Sequence, residues 1–156
     1  MKETNKIKSS VARLRCGNTE GTAFLVAKDI AITATHCVDE ATENGQEIIL
    51  TFLNIPEVEE FNIKASLFAI GDKKSPISAL KLEREVDTYY LELAYFSDEI
   101  MRKTKMFTYG YPTAKFETGY PLDLYLSDYL NQNNPYDYDI ALVPSEHSKL
   151  ADYSGI

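Results

Sequence analysis

The chain has 156 residues, of which 44% are hydrophobic, so it can bury one hydrophobic core and should form about one domain. Its 24 acidic and 16 basic side chains give a net charge of −8, which argues against binding to nucleic acid or to an anionic membrane surface. No apolar run is long enough for a membrane-spanning helix, and Met1 to Ser10 lacks the apolar centre of a signal peptide, so we expect a cytoplasmic location.

The first ten residues are polar and are predicted to form an N-terminal tail. Val11–Cys16 alternates between apolar and charged side chains, which predicts a half-buried strand. After a turn, the apolar runs 23–27 and 30–34 predict a β-hairpin that leads directly into His36.

His36 is the first residue predicted to carry chemistry. An imidazole at the end of a buried strand is suited to act as a general base near neutral pH, and the small residues 33–35 before it leave room for other backbone to approach. A single histidine can equally be a structural residue. The neighbouring sequence is therefore needed to separate these two interpretations.

Residues 21–26, Gly-Thr-Ala-Phe-Leu-Val, and 32–38, Ile-Thr-Ala-Thr-His-Cys-Val, resemble the histidine region of trypsin-like serine peptidases. In that family a Gly-Thr-Gly-Phe-Leu strand precedes Thr-Ala-Ala-His-Cys, so Ala23 and Thr35 are small-for-small replacements. The resemblance implies an all-β fold, the chymotrypsin-like double antiparallel β-barrel. It also implies a Ser-His-Asp triad in which His36 takes the proton of the serine.

Further strands are predicted at Ile48–Leu53 and Phe61–Ile70, with turns at Asn44-Gly45 and at Gly71–Ser75. In Phe61–Ile70 the apolar residues alternate with polar ones, as in a sheet with one solvated face. Many short strands separated by turns predict an antiparallel barrel or sandwich, independently of the resemblance.

Asp87 is the predicted partner of His36, because a histidine base needs an anion that fixes its tautomer and stabilises the imidazolium. The resemblance places the aspartate of the family 51 residues after His36 (87 − 36 = 51), at the start of an apolar strand. Asp139, in Asp-Ile-Ala-Leu-Val, is closer to the Asp-Ile-Ala-Leu-Leu of the family but lies 103 residues after His36 (139 − 36 = 103). Asp87 is preferred, and Asp139 is the alternative.

The second half of the chain is predicted to hold an incomplete second barrel. Residues 11–96 are assigned to the first barrel, 97–105 to an exposed linker and 106–156 to part of the second barrel, with strands at Tyr120–Leu126 and Tyr136–Val143. His147 lies in a polar loop and is predicted to be a surface residue.

The last residues resemble the approach to the nucleophile in intracellular bacterial members of the family, where Ser-Gly-(apolar) is followed by Ser-Gly-Ser-Pro. In this alignment the N–H of Gly155 is half of the oxyanion hole, and the catalytic serine is expected directly after Ile156. Ser154 is the alternative nucleophile. It would have Asp152 where the tight turn needs a glycine.

Cys16 and Cys37 are predicted to be buried thiols, because there is no secretion signal. Cys37 as a nucleophile is a weaker alternative, since it should point away from the face that carries His36. Neither a metal nor a cofactor is expected, because two histidines and two cysteines lack the spacing of metal ligands.

The sequence therefore predicts a serine endopeptidase domain that acts on protein or peptide substrates and is inactive as given, because the nucleophile is missing. We expect this domain to be the N-terminal part of a longer protein, with a fused or associated regulatory domain. The alternative is a catalytically dead module of the same fold that binds peptides or regulates a neighbouring domain.

Overall fold

The computed structural model of the protein describes residues 2–94, 106–112, 115–129 and 140–144. In chain order the elements are α1 (Glu3–Ser10), β1 (Val11–Cys16), β2 (Thr19–Ala27), β3 (Ile30–Ala34), a 3₁₀ turn (Thr35–Val38), α2 (Asp39–Asn44), β4 (Ile48–Phe52), β5 (Phe61–Ala69), β6 (Ile77–Leu82), β7 (Met106–Gly110), β8 (Tyr120–Tyr129) and β9 (Ile140–Pro144). The described helices are too short to cross a membrane.

The first six strands close into an antiparallel barrel in the order β1-β2-β3-β6-β5-β4. Alternate residues of each strand point inward, because successive side chains of a strand lie on opposite faces. The largest of these inward side chains are fully buried and fill the barrel: Leu14, Leu25, Leu50, Phe52, Ile63 and Leu80. The all-β, antiparallel barrel predicted from the alternation is confirmed.

Two regions of the barrel differ from the prediction. The segment predicted to be a polar tail forms the helix α1, whose last two residues, Ser9 and Ser10, are buried and donate hydrogen bonds to the carbonyls of Lys6 and Ile7. The last strand of the barrel is Ile77–Leu82. The apolar residues that follow Asp87, which were predicted to form a strand, form no strand among the described residues.

The second sheet has the order β7-β8-β9 and packs on the outside of β1 and β2. A small apolar cluster joins the two sheets and contains Val11, Tyr109, Tyr111 and Phe116. Residues 97–105, the predicted linker, lie outside the described residues. The structure thus contains one closed barrel and, in its described part, a second sheet of three strands.

The contact between the two sheets includes an aromatic ring between two guanidinium groups. Arg13 and Arg15 project from β1 and lie 5.3 and 5.2 Å from the ring centre of Phe116. Arg13 also donates to Glu117 at 2.6 Å. Because Phe116 and Glu117 belong to the turn that connects β7 and β8, these contacts tie the second sheet to the barrel.

Candidate active site

His36 lies in the 3₁₀ turn that directly follows β3. The next two residues, Cys37 and Val38, are buried in the barrel core, whereas His36 is exposed. The turn therefore uses two apolar side chains as its anchor and leaves the imidazole in solvent. A histidine held in this way can accept a proton from a group that approaches from outside the barrel.

Hydrogen bonds from three segments hold the start of this turn in place. The N–H of Thr35 donates to the carbonyl of Pro76 at 3.0 Å, and its hydroxyl lies 3.0 Å from the hydroxyl of Ser78. Ser78 is fully buried and also accepts the N–H of Gly71 at 3.1 Å. The buried Ser78 hydroxyl thus joins β6, the His36 turn and the loop between β5 and β6.

Close packing below the turn explains why residue 21, at the start of the motif that leads to His36, is a glycine. A Cβ on Gly21 would lie 2.6 Å from the Sγ of Cys37, closer than such atoms approach in proteins. Burial raises the pKa of Cys37, although hydrogen bonds with Thr33 and with the backbone of Thr22 oppose this effect. Cys37 is therefore a packing residue at neutral pH and is poorly suited to act as a nucleophile.

Cys16 lies in the same core cluster, and its pKa is also raised, first by burial and then by the nearby acidic residues Glu40 and Asp39. Both cysteines are free thiols in the structure, and their predicted burial is confirmed. Glu40 has a structural role here: its carboxylate accepts the N–H of Asn18 at 3.1 Å and the hydroxyl of Thr19 at 2.8 Å. These bonds tie α2 to the turn between β1 and β2.

Thr22 connects the His36 turn with the second sheet. Its carbonyl accepts the hydroxyl of Thr33 in β3 at 2.8 Å, and its own hydroxyl accepts the N–H of Tyr111, just after β7, at 2.8 Å. The end of β7 therefore lies one strand away from the strand that carries His36. The end of β3 that leads into the His36 turn therefore lies near the junction between the barrel and the second sheet.

The structure does not bring Asp87 to His36, so the predicted contact is wrong. β3 and β6 are antiparallel, and Ala34 at the end of β3 pairs with Ile77 at the start of β6. Asp87 follows the other end of β6, where the N–H of Val86 donates to the carbonyl of Lys28 before β3 begins. The length of β3 alone separates the two residues by about 13 Å at 3.3 Å per residue.

The loop before β6 lies on the correct side for an orienting group, and the sequence interpretation missed it. Gly71 packs against Thr35, because a Cβ there would lie 2.6 Å from the Thr35 hydroxyl. The only carboxylate in residues 71–76 is Asp72, whose Oδ1 accepts the N–H groups of Lys74 and Ser75 at 2.8 and 2.9 Å. These two bonds hold the pKa of Asp72 below its usual value.

Among the described residues, no carboxylate forms an ion pair with His36. The other predicted site residues lie outside the described part of the chain: Asp139, His147, Ser154, Gly155 and Ile156. The described site thus consists of His36, the polar groups that position its turn, and the loop that carries Asp72.

No protein-family model matches the chain, and no curated protein matches it. Solved structures do. The chain is similar to the crystal structure of Deg5, with a TM-score of 0.70 and 15% identity, over 95% of this chain and 78% of that one.

Two further structures show the same likeness. The Rv3671c protease of M. tuberculosis, in an inactive form, matches with a TM-score of 0.60 and 14% identity over 88% of this chain and 64% of its own. The HtrA-type protease AlgW with a tripeptide matches with a TM-score of 0.63 and 18% identity over 90% of this chain and 44% of its own. The chain thus spans between about half and three-quarters of these proteins, and its fold is that of the trypsin-like serine proteases.

Proposed function

We propose that this chain is part of a trypsin-like serine endopeptidase domain in which His36 is the general base. The observation that carries the proposal is the position of His36. It is exposed on a turn anchored by two buried residues, at the end of β3 nearest to the start of β6, in a barrel with the fold of known serine proteases. The substrates would be proteins or peptides, as the class of these proteases implies.

In this proposal the nucleophile and the oxyanion-hole donor lie outside the residues that the structure describes. The proposed nucleophile is the serine expected directly after Ile156, with Ser154 as the weaker alternative, and the N–H of Gly155 would stabilise the oxyanion. His36 would take the proton of the serine as it attacks the peptide carbonyl and would return it to the leaving amine. The loop 71–76 supports an orienting role for Asp72, since this loop packs against Thr35.

A fluorophosphonate probe tests this function, because it reacts only with a serine that a base has activated. The 156-residue chain should stay unlabelled, whereas a chain extended past Ile156 should be labelled. His36→Ala should abolish labelling of the extended chain, and Asp72→Asn should slow it by at least about tenfold. Labelling of the short chain that is lost in Ser154→Ala would instead identify Ser154 as the nucleophile.

The alternative function is a catalytically inactive module that binds peptides, and one observation favours it. His36 has no carboxylate partner among the described residues, although a working triad needs one to hold the imidazolium. An extended chain that folds, contains the serine and still resists the probe would support this alternative. Equal labelling of the wild type and of Asp72→Asn would mean that Asp72 does not orient His36 and that His36 acts as a base without this carboxylate.

A further inference from the structure

Three large apolar side chains are exposed on the outer face of the barrel, at the hairpin formed by β5 and β6. Phe68 is 68% exposed, Ile70 55% and Ile77 57%. A β-bulge lies between Leu67 and Ala69, so Phe68 is the extra residue of the bulged strand. Single exposed apolar residues are common on protein surfaces, but three large ones on one hairpin form a candidate interaction site.

The pairing of β6 with both neighbouring strands places further apolar residues beside Ile77. Ala79 of β6 pairs with Ala69 of β5 on one side and with Ile32 of β3 on the other, and Ile77 pairs with Ala34. Ile32, Ala34 and Ala79 are all partly exposed. We use the name outer apolar face for these residues: Ile32, Ala34, Phe68, Ile70, Ile77 and Ala79.

The charge around the outer apolar face has the opposite sign to that of the whole chain. Residues 61–82 contain four lysines and one aspartate, a net charge of +3 (4 − 1 = 3), in a chain whose net charge is −8. Lys64 and Lys81 pair with Glu47 and Asp29. Lys73 and Lys74, at the tip of the hairpin, have no ion-pair partner in the described part of the chain.

We propose that the outer apolar face binds a segment of a partner protein that combines apolar and acidic side chains. The apolar residues of this segment would cover Phe68, Ile70 and Ile77, and its carboxylates would pair with Lys73 and Lys74 at the rim. The barrel is closed, so β5 and β6 offer no free edge to which a partner could add a strand. Binding therefore depends on side chains, which makes it sensitive to single substitutions.

The charge also argues against two other occupants of the outer apolar face, an anionic membrane and a second copy of the chain. An anionic membrane would meet the whole acidic molecule, whereas a short acidic segment interacts mainly with charges within a Debye length of about 8–10 Å. A symmetric contact between two copies of the chain would bring Lys73 and Lys74 of both hairpins together, because both copies use the same surface in such a dimer. Neither objection applies to an acidic segment.

The probe for the first experiment is a fluorescein-labelled peptide of 12 or so residues in which glutamate alternates with leucine or phenylalanine. We expect it to bind the 156-residue chain in a titration of fluorescence anisotropy and to shift the backbone amide NMR signals of residues 66–81. A peptide in which lysine replaces each glutamate should bind at least about tenfold more weakly. Perturbation of amides elsewhere in the chain, or equal binding of both peptides, would overturn the proposal.

Variants then separate the apolar from the charged contribution. Phe68→Ser with Ile77→Ser should weaken binding by about tenfold or more, and Lys73→Ala with Lys74→Ala should weaken it by about threefold and reduce its salt dependence. Leu93→Ser is the matched control, since Leu93 is 79% exposed but follows Asp87 at the other end of the barrel. It should leave binding unchanged.

Two further measurements test whether a second copy of the chain or a membrane occupies the outer apolar face. Sedimentation of the chain over a range of concentrations should show a monomer, and co-sedimentation with vesicles of phosphatidylserine and phosphatidylcholine should leave it in the supernatant. A dimer that Phe68→Ser disrupts would assign the face to a second copy of the chain. Vesicle binding that Phe68→Ser abolishes would assign it to a membrane, and either result would overturn the proposal.

Discussion

The two ends of the barrel hold the chain in different ways. At the His36 end, the buried hydroxyl of Ser78 joins three segments, and Cys37 packs tightly below Gly21. At the Asp87 end, a few hydrogen bonds hold the segment that follows β6. One of them runs from the Thr88 hydroxyl to the carbonyl of Ser9 at 3.3 Å. His36 therefore lies at the end where a buried hydroxyl and close packing hold the backbone of its turn.

The backbone conformation also differs between the two ends of the barrel. Glu57 has a φ of 64° and is the only described residue other than glycine with a positive φ. It follows Pro56 in a turn closed by the N–H of Val58 and the carbonyl of Ile55, and Asp87 and Pro56 line the same cavity of about 350 Å³. Strain thus lies at the Asp87 end, whereas side-chain packing and hydrogen bonds define the His36 end.

The largest effect is expected from overfilling the His36 end with Gly21→Val. A side chain at this position would collide with the Sγ of Cys37, so the free energy of unfolding should fall by about 1–3 kcal/mol. Urea denaturation measures this change. Adding Cys37→Ala should recover part of the loss, because it removes the colliding atom; an equal loss in both backgrounds would place the collision elsewhere.

Ser78→Ala should have a similar or somewhat smaller effect. It removes the acceptor of the half-buried Gly71 N–H and the partner of the Thr35 hydroxyl, which together should lower the free energy of unfolding by about 1–3 kcal/mol. Thr88→Val is the matched control at the other end, where the hydroxyl makes a single, longer bond of 3.3 Å, and it should cost less than about 1 kcal/mol. Equal losses in the two variants would mean that the ends are held equally well.

Alkaline pH should weaken the barrel through its two buried thiols. Burial raises the pKa values of Cys16 and Cys37, so their stabilising contribution is complete below the thiol pKa of the unfolded chain, about 8.5, and is lost as the pH rises toward the folded pKa. The free energy of unfolding should therefore fall as the pH rises above about 8.5, by up to about 1.4 kcal/mol per pH unit for each thiol. The double variant Cys16→Ala with Cys37→Ala should show a flatter pH dependence; an unchanged slope would exclude the thiols.

Glu57→Gly should stabilise the protein slightly. Glycine adopts a positive φ without steric cost, which outweighs its greater freedom in the unfolded chain, so we expect a gain of about 0.5–1 kcal/mol in the free energy of unfolding. Glu59→Gly, in the same loop but without a positive φ, should instead cost a few tenths of a kcal/mol. A loss in both variants would show that Glu57 is not strained.

The sequence predicted the barrel strands in which apolar residues alternate simply with polar ones, such as Val11–Cys16 and Phe61–Ile70. It missed β6, because the alternation there is reversed: Ile77 is exposed and Ser78 is buried. The serine is buried for its hydrogen bonds with Thr35 and Gly71, which a pattern of hydrophobicity does not report. The helix α1 was missed for a related reason, since its buried residues are serines.

The missed strand also explains the error at the candidate site. His36 could be predicted because a local motif surrounds it, whereas its carboxylate partner depends on which end of which strand pairs with β3. With β6 missing, the last strand of the barrel was placed after Asp87, although β6 begins at Ile77, eleven residues before Thr88 (88 − 77 = 11). The loop before β6 is therefore the place to look for a partner, and the Asp87 position is not.

Asp87→Asn should consequently have the smallest effect of all. Its carboxylate is exposed and lies at least the length of β3 from His36, about 13 Å, which exceeds the Debye length of about 8–10 Å at ordinary salt concentrations. The free energy of unfolding should change by less than about 0.5 kcal/mol, and the NMR chemical shifts of the His36 imidazole at fixed pH should stay unchanged. Asp72→Asn, on the loop that packs against Thr35, should shift those same signals. Imidazole signals that move in Asp87→Asn and stay fixed in Asp72→Asn would restore Asp87 as the partner of His36 and refute the assignment of the two ends.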